Sequence, residues 1–400
     1  MPRFIKGLLF GLVAVFLLGV AALWWAGPDW RALIANAPSG RDVLSWDIGQ
    51  RDAAFRMMDR IPVLSDVNEM QPSDAPKPLE KGAPLSLSVD VDAYMAQGRY
   101  ASLVILHNGK IRLEKYAMGF DAGGRWTSFS VGKSFTSTLV GAAIKDGYIA
   151  STDDKVSDYI AGLSGSPYDD VTIEQLLTMT SGVEWNEDYE DPQSDVAQFD
   201  FHAAPEGLAQ IVSYMRTKSQ AHAPGEVWNY STGETNLIGI LVSEATGKTL
   251  ADYLTEKIWQ PYGMADKATW LKGRDGNELS GCCIQATTRD FARYGQFMLD
   301  GAVAGGEAVL PEGWIAAATK DHARTGRMAP GYGYQWWVYD DGSYTAGGIF
   351  GQGIYVDPSR GLVIASNGNW RSALGLRDGE RQGREDFYRA VREAIDAEAR

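Results

Sequence analysis

Cysteine and histidine are scarce in this sequence, and their scarcity excludes several kinds of site. The 400 residues include 2 cysteines and 4 histidines, and neither His-Glu-x-x-His nor Cys-x-x-Cys occurs. Without such spacing of ligands we expect no metal site and no cofactor. The adjacent Cys282 and Cys283 are too close for an ordinary disulfide staple, so two small buried thiols are the simpler interpretation. A disulfide between the two neighbours is the alternative.

The chain also lacks a Gly-x-Ser-x-Gly motif and an excess of positive charge. Without that motif, a hydrolase with a Ser-His-Asp triad is disfavoured. The 37 lysines and arginines against 51 acidic residues give a formal net charge of −14. Nucleic-acid binding requires a basic surface, so we expect no such partner. The 45% hydrophobic content is sufficient for a large core, in one domain or in a domain with an insertion.

A long run without charge does occur, at the N-terminus. Arg3 and Lys6 precede the uncharged residues 7–26. As a helix, these twenty residues would span about 30 Å, enough to cross a bilayer. Residues 1–30 are therefore predicted to anchor the protein in a membrane, with the basic end in the cytoplasm and the rest on the periplasmic side. The alternative is a signal peptide cleaved near residue 22, which would release a secreted protein.

Ser130 and Lys133 form the only Ser-x-x-Lys motif in the chain. If Ser130 begins a helix, the i,i+3 spacing puts the Lys133 amine on the same face as the hydroxyl. A nucleophile and its base need this arrangement, and the helix N-terminus supplies N–H groups that stabilise a negative substrate oxygen. Apolar residues at helical spacing over 135–144 predict that the helix is buried. One such motif is expected by chance, so it needs support from other residues.

The same segment also comes within one residue of a phosphate-binding P-loop. A P-loop needs glycine where Thr127 stands, and it follows a buried strand, whereas GGRW precedes residues 127–134. Residues 242–249, VSEATGKT, fail in the same way. Nucleotide binding is therefore the less favoured interpretation.

Alternating apolar residues at both ends of the chain predict one antiparallel sheet. The predicted strands are residues 102–107, 111–116, 344–356 and 362–367. Asn108-Gly109 is a strong hairpin signal between the first two strands. The Ser130 helix and a charged C-terminal helix at 383–400 would pack on this sheet.

The middle of the chain, about residues 151–328, is predicted to be a mainly helical insert. Capping and periodicity predict helices at 172–179, 249–259 and 288–299. Residues 31–84 would be an N-terminal extension that ends in an extended linker at 71–84. The remaining residues, 85–400, would form a single catalytic domain.

Three further stretches combine polar or aromatic residues with turns. Tyr230 directly precedes a predicted helix, where a phenol can point into a cleft, although most such tyrosines are simply packed. Residues 345–352, TAGGIFGQ, form a predicted strand whose glycines indicate close approach by a ligand or another backbone, with a bulge as the alternative. Residues 176–182, LLTMTSG, would be a helix end before an aromatic loop that contains Tyr189.

Together, and in this order, SVGK, LLTMTSG, PGEVWNYS and the glycine-rich strand resemble the penicillin-recognising serine hydrolases of the class C β-lactamase type. That family includes DD-peptidases, short-chain esterases and the nylon-oligomer (6-aminohexanoate-dimer) hydrolases. The strings SVGKSFTS, WNEDY, ATTRDFARYG, YGYQWW and GIFGQ are most similar to the nylon-oligomer branch. The resemblance runs from about residue 86 to the C-terminus. It implies an α/β (α+β) fold of the β-lactamase type, with a sheet, a helical insert and no cofactor.

The resemblance also implies roles for individual residues. Ser130 would be the nucleophile, Lys133 its neighbour of lowered pKa, and Tyr230 the proton shuttle that passes the serine proton to the leaving group. The backbone N–H groups of Ser130 and Ile349 would form the oxyanion hole. Substrate contacts would come from Tyr189, Gly347 and Gly348.

Two departures from the family pattern narrow the range of expected substrates. Tyr-x-Asn is here Tyr230-Ser231-Thr232, which lacks the amide that binds a β-lactam acyl group. Lys-Thr-Gly has become Thr345-Ala346-Gly347, which lacks the cation for a substrate carboxylate. The predicted function is hydrolysis of a small ester or linear amide through a Ser130 acyl-enzyme. The alternatives are a β-lactamase or DD-peptidase, and a non-catalytic ligand sensor of the cell envelope, which would not need the three catalytic side chains.

Overall fold

The structure is a computed structural model that describes residues 3–38, 40, 42–61, 64, 66–327 and 329–399. Its strands are β1 (Val67–Met70), β2 (Tyr100–His107), β3 (Lys110–Tyr116), β4 (Arg125–Thr127), β5 (Ala268–Leu271), β6 (Ile284–Thr287), β7 (Val303–Ala304), β8 (Glu307–Ala308), β9 (Ala323–Arg324), β10 (Gly331–Tyr332), β11 (Trp337–Val338), β12 (Tyr344–Gly347), β13 (Gly353–Asp357) and β14 (Leu362–Gly368). Its helices are α1 (Arg3–Trp25), α2 (Pro28–Ala35), α3 (Ile48–Ala54), α4 (Val91–Gln97), α5 (Gly132–Lys145), α6 (Val156–Tyr159), α7 (Ile173–Leu177), α8 (Asp195–Gln198), α9 (Gln210–Met215), α10 (Thr232–Thr246), α11 (Leu250–Leu254), α12 (Gln260–Tyr262), α13 (Thr288–Leu299), α14 (Trp314–Ala318) and α15 (Glu380–Glu398).

The main sheet is antiparallel and joins both ends of the chain, as predicted. Its strand order is β3-β2-β14-β13-β12-β11-β10-β9. Side chains of β2 alternate between its two faces: Leu103 and Ile105 pack with the core under α15, while Val104 and Leu106 pack with the core that contains α5 and α13. The period-2 pattern thus gives this strand two buried faces, each covered by helices.

In the described part of the middle of the chain, helices outweigh strands, and the helix starts predicted there are confirmed. Thr172, Thr249 and Thr287 are N-caps of α7, α11 and α13, and each side chain accepts a hydrogen bond from a backbone N–H of the first turn. The region also contributes β5 and β6 to a second, four-stranded sheet of order β1-β5-β6-β4. Strand β4 of this sheet leads directly into the Ser130 turn.

The glycine-rich segment differs from the prediction of one strand over 344–356. Strand β12 ends at Gly347, a turn follows at Ile349–Gly351, and β13 returns antiparallel to β12. Phe350 and Gly351 have φ values of 60° and 97°, in the left-handed region that a continuing strand does not use. The prediction of a continuous strand is therefore wrong, and the segment is a hairpin.

The N-terminal helix α1 has 23 residues, and its described apolar side chains are largely exposed. Among the described residues no single helix meets the length and hydropathy criteria for a membrane span. The pair Leu9–Trp25 and Pro28–Ala35, bent by 119°, meets them only in combination. The predicted membrane anchor is not confirmed, and the periplasmic location stays a prediction.

The extension between the N-terminal helices and β1 packs on the rest of the chain. Trp46, Phe55, Met58 and Leu64 are buried in one cluster with Phe129. Residues 71–84 contain no helix or strand, consistent with an extended linker. They are nevertheless held to the body of the protein, for example by a β-bridge between Lys81 and Ile111.

The prediction of two cysteine thiols is wrong, because Cys282 and Cys283 form a disulfide with each other. They lie in a tight turn between β5 and β6, where the Cys282 N–H donates to the Leu279 carbonyl and Cys283 has a φ of 72°. The conformation of this turn brings the two sulfur atoms together. Neighbouring cysteines in ordinary backbone conformations are not placed to form a disulfide.

Candidate active site

Ser130 lies in a 3₁₀ turn, Phe129–Val131, between β4 and the start of α5 at Gly132. The turn begins with Phe129 at a φ of 42°, a left-handed conformation that is uncommon for a bulky residue and often occurs at functional sites. The Ser130 side chain is half-buried and lines two cavities. The nucleophile predicted from Ser-x-x-Lys is therefore accessible from both.

Lys133 is only 1% exposed, one turn after Ser130 on the buried face of α5. Its amine donates to Thr232 Oγ1 at 2.9 Å and to the Gly281 carbonyl at 2.8 Å. Burial lowers the pKa of Lys133 to about 8, against an opposing effect of the Glu187 charge. A neutral amine has two N–H groups, so these two bonds use both of them and leave the nitrogen lone pair for a proton.

Tyr230 directly precedes α10, as predicted, and its side chain is 6% exposed. Its ring stacks on Trp337 with centroids 5.5 Å apart, and Lys133 Nζ lies 5.4 Å from the ring centroid. Burial and the nearby Glu187 raise the pKa of the Tyr230 phenol, while its hydrogen bond with Ser130 acts in the opposite direction. Tyr230 therefore stays protonated at neutral pH, next to the nucleophile.

Glu187 joins several site residues through its carboxylate. Thr232 Oγ1 donates to it at 2.5 Å and the Thr232 backbone N–H at 2.9 Å, and the Tyr189 hydroxyl donates at 2.8 Å. The Trp185 indole N–H donates to the same carboxylate. Because Thr232 Oγ1 also accepts a hydrogen bond from Lys133 Nζ, a chain of hydrogen bonds runs from the lysine to Glu187. This role of Glu187 was not predicted from the sequence, although Glu187 stands in the WNEDY string and Thr232 departs from Tyr-x-Asn.

The turn after β12 brings a second backbone against the Ser130 turn. A Cβ atom on Gly348 would lie 2.7 Å from the Ser128 carbonyl oxygen, so only glycine fits there. In the described residues neither the Ser130 nor the Ile349 N–H donates to a carbonyl outside its own turn. The Gln352 side chain, which the sequence analysis did not single out, donates to the Ile349 and Gly368 carbonyls at 2.9 and 3.0 Å and holds this turn. Both backbone N–H groups predicted for an oxyanion hole thus lie beside one cleft.

Ser130 separates two cavities of different character. The first, of about 50 Å³, is the cationic cavity; its lining includes Tyr189, Tyr230, Arg327, Gly347, Gly348, Ile349, Arg381 and Arg384. The second, of about 150 Å³, is the apolar cavity; its lining includes Val43, Leu44, Met58, Leu64, Phe129, Val196, Leu271 and the disulfide. All residues predicted for the site line one of these cavities except Lys133, which lies behind Ser130. Within the described residues, no three His, Cys, Asp or Glu side chains are grouped to hold a metal ion.

Comparisons with known proteins agree with this arrangement. The 6-aminohexanoate-dimer hydrolase of Paenarthrobacter ureafaciens is 28% identical over 354 residues, which are 84% of this chain and 90% of that protein. The solved structure of the "Putative 6-aminohexanoate-dimer hydrolase from Bacillus anthracis" has a TM-score of 0.74 at 22% identity and covers 87% of this chain and 94% of its own. A family VIII carboxylesterase has a TM-score of 0.58 at 17% identity, over 75% of this chain and 96% of its own. These two solved structures share the fold of this chain.

The family described as Beta-lactamase matches residues 90–384, the greater part of the chain. That match spans the Ser130 turn, the Tyr230 loop and the glycine-rich hairpin. With the fold and the geometry of the site, it shows that this chain belongs to the beta-lactamase family of serine hydrolases.

Proposed function

We propose that the protein hydrolyses a small ester or linear amide through an acyl-enzyme on Ser130. The observation that carries the proposal is the environment of this hydroxyl: Tyr230 lines the same cavity as Ser130, and the buried amine of Lys133, whose pKa is lowered, lies one turn away. These are the parts that serine acylation needs, namely a nucleophile, a base of suitable pKa and a proton donor.

Acylation begins with transfer of the Ser130 proton to the neutral amine of Lys133. The serine oxygen attacks the substrate carbonyl, and the N–H groups of Ser130 and Ile349 stabilise the negative oxygen of the tetrahedral intermediate. Its collapse breaks the bond to the alcohol or amine, which leaves with a proton from Tyr230, and the lysine proton returns to the phenol. Water then attacks the acyl-enzyme by the same route and releases the acid and free Ser130.

This mechanism differs from the role predicted for Tyr230, which was to accept the serine proton and pass it to the leaving group. A phenol whose pKa is raised by burial is a poor base at neutral pH, whereas Lys133, with a pKa of about 8, is partly neutral there. We therefore assign the first proton transfer to Lys133 and the delivery to the leaving group to Tyr230.

The two cavities limit the size of the substrate. The apolar cavity of about 150 Å³ has room for a short hydrocarbon group beside Ser130. Thr232, in place of the asparagine of Tyr-x-Asn, is occupied by Lys133 and Glu187 and offers no amide to an acyl group. These features favour short esters and linear amides over β-lactams. Because a relative is a 6-aminohexanoate-dimer hydrolase, that dimer is the first amide to test.

The test compares the parent protein with Ser130→Ala on short 4-nitrophenyl esters, the 6-aminohexanoate dimer, a D-alanyl-D-alanine peptide and a cephalosporin. We expect the parent to hydrolyse an ester or the linear amide, and Ser130→Ala to lose that activity with an unchanged circular dichroism spectrum. Ser164→Ala, at an exposed serine, is the matched control and should retain full activity. Hydrolysis by Ser130→Ala at the parent rate would contradict the mechanism. If the parent turns over only the cephalosporin or the peptide, the proposed substrate class is wrong.

A further inference from the structure

The cationic cavity carries a charge opposite to that of the whole protein. The formal net charge is −14, yet the cavity lining contains Arg327, Arg381 and Arg384 and, among described residues, one carboxylate, that of Glu385. A concentration of positive charge in a half-enclosed cleft attracts anions strongly, because low-dielectric walls focus the field. The charge that lines this cleft is therefore opposite in sign to the net charge of the protein.

Arg384 is 6% exposed and is fixed by its surroundings. Its guanidinium carbon lies 4.9 Å from the centre of the Trp370 ring, and its Nε has no hydrogen-bond partner among described residues. Its only ion pair there is a long contact of 3.9 Å with Glu385, whose carboxylate also accepts hydrogen bonds from the Tyr339 hydroxyl at 3.1 and 3.0 Å. A buried donor without a partner destabilises the protein unless a ligand satisfies it.

Arg381 lies one turn before Arg384 on α15 and lines the same cavity. In the part of the chain that the structure describes, its guanidinium forms neither an ion pair nor a hydrogen bond. Burial, followed by the charges of Arg384 and Arg327, lowers the pKa of Arg381 to about 10. Two like charges on one helix face repel each other, and the repulsion is relieved when an anion binds between them.

Arg327 approaches the cavity from the opposite side, on the loop between β9 and β10. Its guanidinium carbon lies 5.4, 5.8 and 5.2 Å from the ring centres of Trp228, Tyr230 and Trp337. Cation–π contact with these three rings holds the charge beside the phenol that contacts Ser130. A small substrate attached to Ser130 could thus reach this position with an anionic group.

We propose that Arg327, Arg381 and Arg384 form a carboxylate-binding subsite, and that the substrate carries a carboxylate on the part that occupies the cationic cavity. The inference rests on the proposed hydrolase function and specifies its substrate class. Planar guanidinium groups match a carboxylate through paired hydrogen bonds, and three of them replace the strand cation that is missing at Thr345. The apolar cavity on the other side of Ser130 would take an uncharged hydrocarbon group, so the substrate would be an amphipathic monoanion.

Binding is tested first, without turnover, on Ser130→Ala protein. Calorimetric titration with 3-hydroxybenzoate should show binding that weakens as salt is raised, while 3-hydroxybenzamide, of the same shape without the charge, should bind at least about tenfold more weakly. Arg381→Gln should reduce the preference for the carboxylate about tenfold. The matched control is Arg389→Gln, which removes the same charge from an exposed position of the same helix and should keep the preference.

Kinetics then test the subsite in the intact enzyme. The substrates are 3-butanoyloxybenzoate and 3-butanoyloxybenzamide, which share the acyl group and the ring. We expect the ratio of their kcat/KM values to favour the carboxylate at least about tenfold, mainly through KM, and to fall in Arg381→Gln and Arg327→Gln but not in Arg389→Gln. Arg381→Lys should restore part of the ratio, because it restores the charge without the paired geometry.

Equal binding of the two benzoyl probes, or a preference that survives both arginine substitutions, would overturn the subsite. If the enzyme turns over the neutral ester and shows no preference, the hydrolase proposal stands and the subsite fails. If the carboxylate binds as expected but neither ester is hydrolysed, the subsite stands and the hydrolase proposal fails.

Discussion

At the scale of single residues, the site depends on the balance of charge around Lys133. Burial lowers the pKa of this amine to about 8, and the negative charge of Glu187 raises it. Thr232 connects the two groups by hydrogen bonds without placing the carboxylate against the amine. A directly paired lysine would keep its proton at neutral pH and could not accept one from Ser130.

The pH dependence of acylation tests this balance. A protonated Lys133 cannot act as a base, so kcat/KM should rise with pH and level off above an inflection near 8. Glu187→Gln removes the negative charge that raises the lysine pKa, so the inflection should move to lower pH. The measurement is kcat/KM of an ester between pH 6 and 10. An unchanged inflection in Glu187→Gln would show that another group controls the profile.

Lys133→Ala provides the corresponding measurement of rate. Loss of a general base reduces rates by roughly a hundredfold or more, and we expect that loss in acylation. Lys110→Ala removes an exposed lysine on β3 and serves as the control. Equal acylation rates for Lys133→Ala and the parent would remove Lys133 from the mechanism.

At the scale of secondary-structure elements, the proposed mechanism requires two turns to meet. The Ser130 turn precedes α5, the glycine-rich turn follows β12, and Gly348 lets their backbones touch. Phe55 packs against both, with ring centroids 4.9 Å from Phe129 and 5.4 Å from Phe350. The geometry of the proposed oxyanion hole thus depends on packing between segments that are far apart in the sequence.

Gly348→Ala tests the contact between the turns. Its Cβ would collide with the Ser128 carbonyl oxygen and displace the Ile349 N–H, so kcat should fall by roughly a hundredfold or more, the usual loss of one oxyanion-hole donor. Gly383→Ala is the matched control, because nothing lies within 4 Å of a Cβ built at this position, near the start of α15. That substitution should keep activity and stabilise the helix by about 0.5–1 kcal/mol. Full activity of Gly348→Ala would contradict the assigned oxyanion hole.

At this scale the sequence predicts much of the fold. Period-2 alternation and Asn108-Gly109 indicated the hairpin of β2 and β3, and threonine N-caps indicated the starts of helices. The hairpin of β12 and β13 was missed because its turn depends on a left-handed Phe350, a conformation without a sequence signal. The arginine cluster was missed for a similar reason: α15 and the loop before β10 meet only in the folded chain.

At the scale of the whole molecule, the N-terminal extension belongs physically to the active site. Met58 and Leu64 are nearly fully buried, and both line the apolar cavity beside Ser130. Each large apolar side chain of this kind contributes about 1.5–3 kcal/mol by burial. The predicted start of the catalytic domain at residue 85 would exclude them.

Two truncations separate the N-terminal helix from this extension. A variant without residues 1–27 should retain ester hydrolysis, because the helix it loses is largely exposed. A variant without residues 1–66 should lose activity and unfold at a lower temperature, because it uncovers Phe129 and one wall of the apolar cavity. If residues 1–30 are a membrane anchor, the full chain should co-sediment with lipid vesicles, and the variant without residues 1–27 should not. Equal activity of both truncations would show that the catalytic domain begins beyond residue 66 and would contradict a role of the extension in the active site.

The most direct test of the central claim is the site of covalent labelling by a fluorophosphonate. We would treat the protein without residues 1–27, and its Ser130→Ala variant, with the reagent and map the adduct by peptide mass spectrometry. We expect one adduct, on Ser130, at a rate that rises with pH through about 8, and no adduct on the variant. An unlabelled but folded parent protein, or a label on another serine, would contradict the assignment of Ser130 as an activated nucleophile.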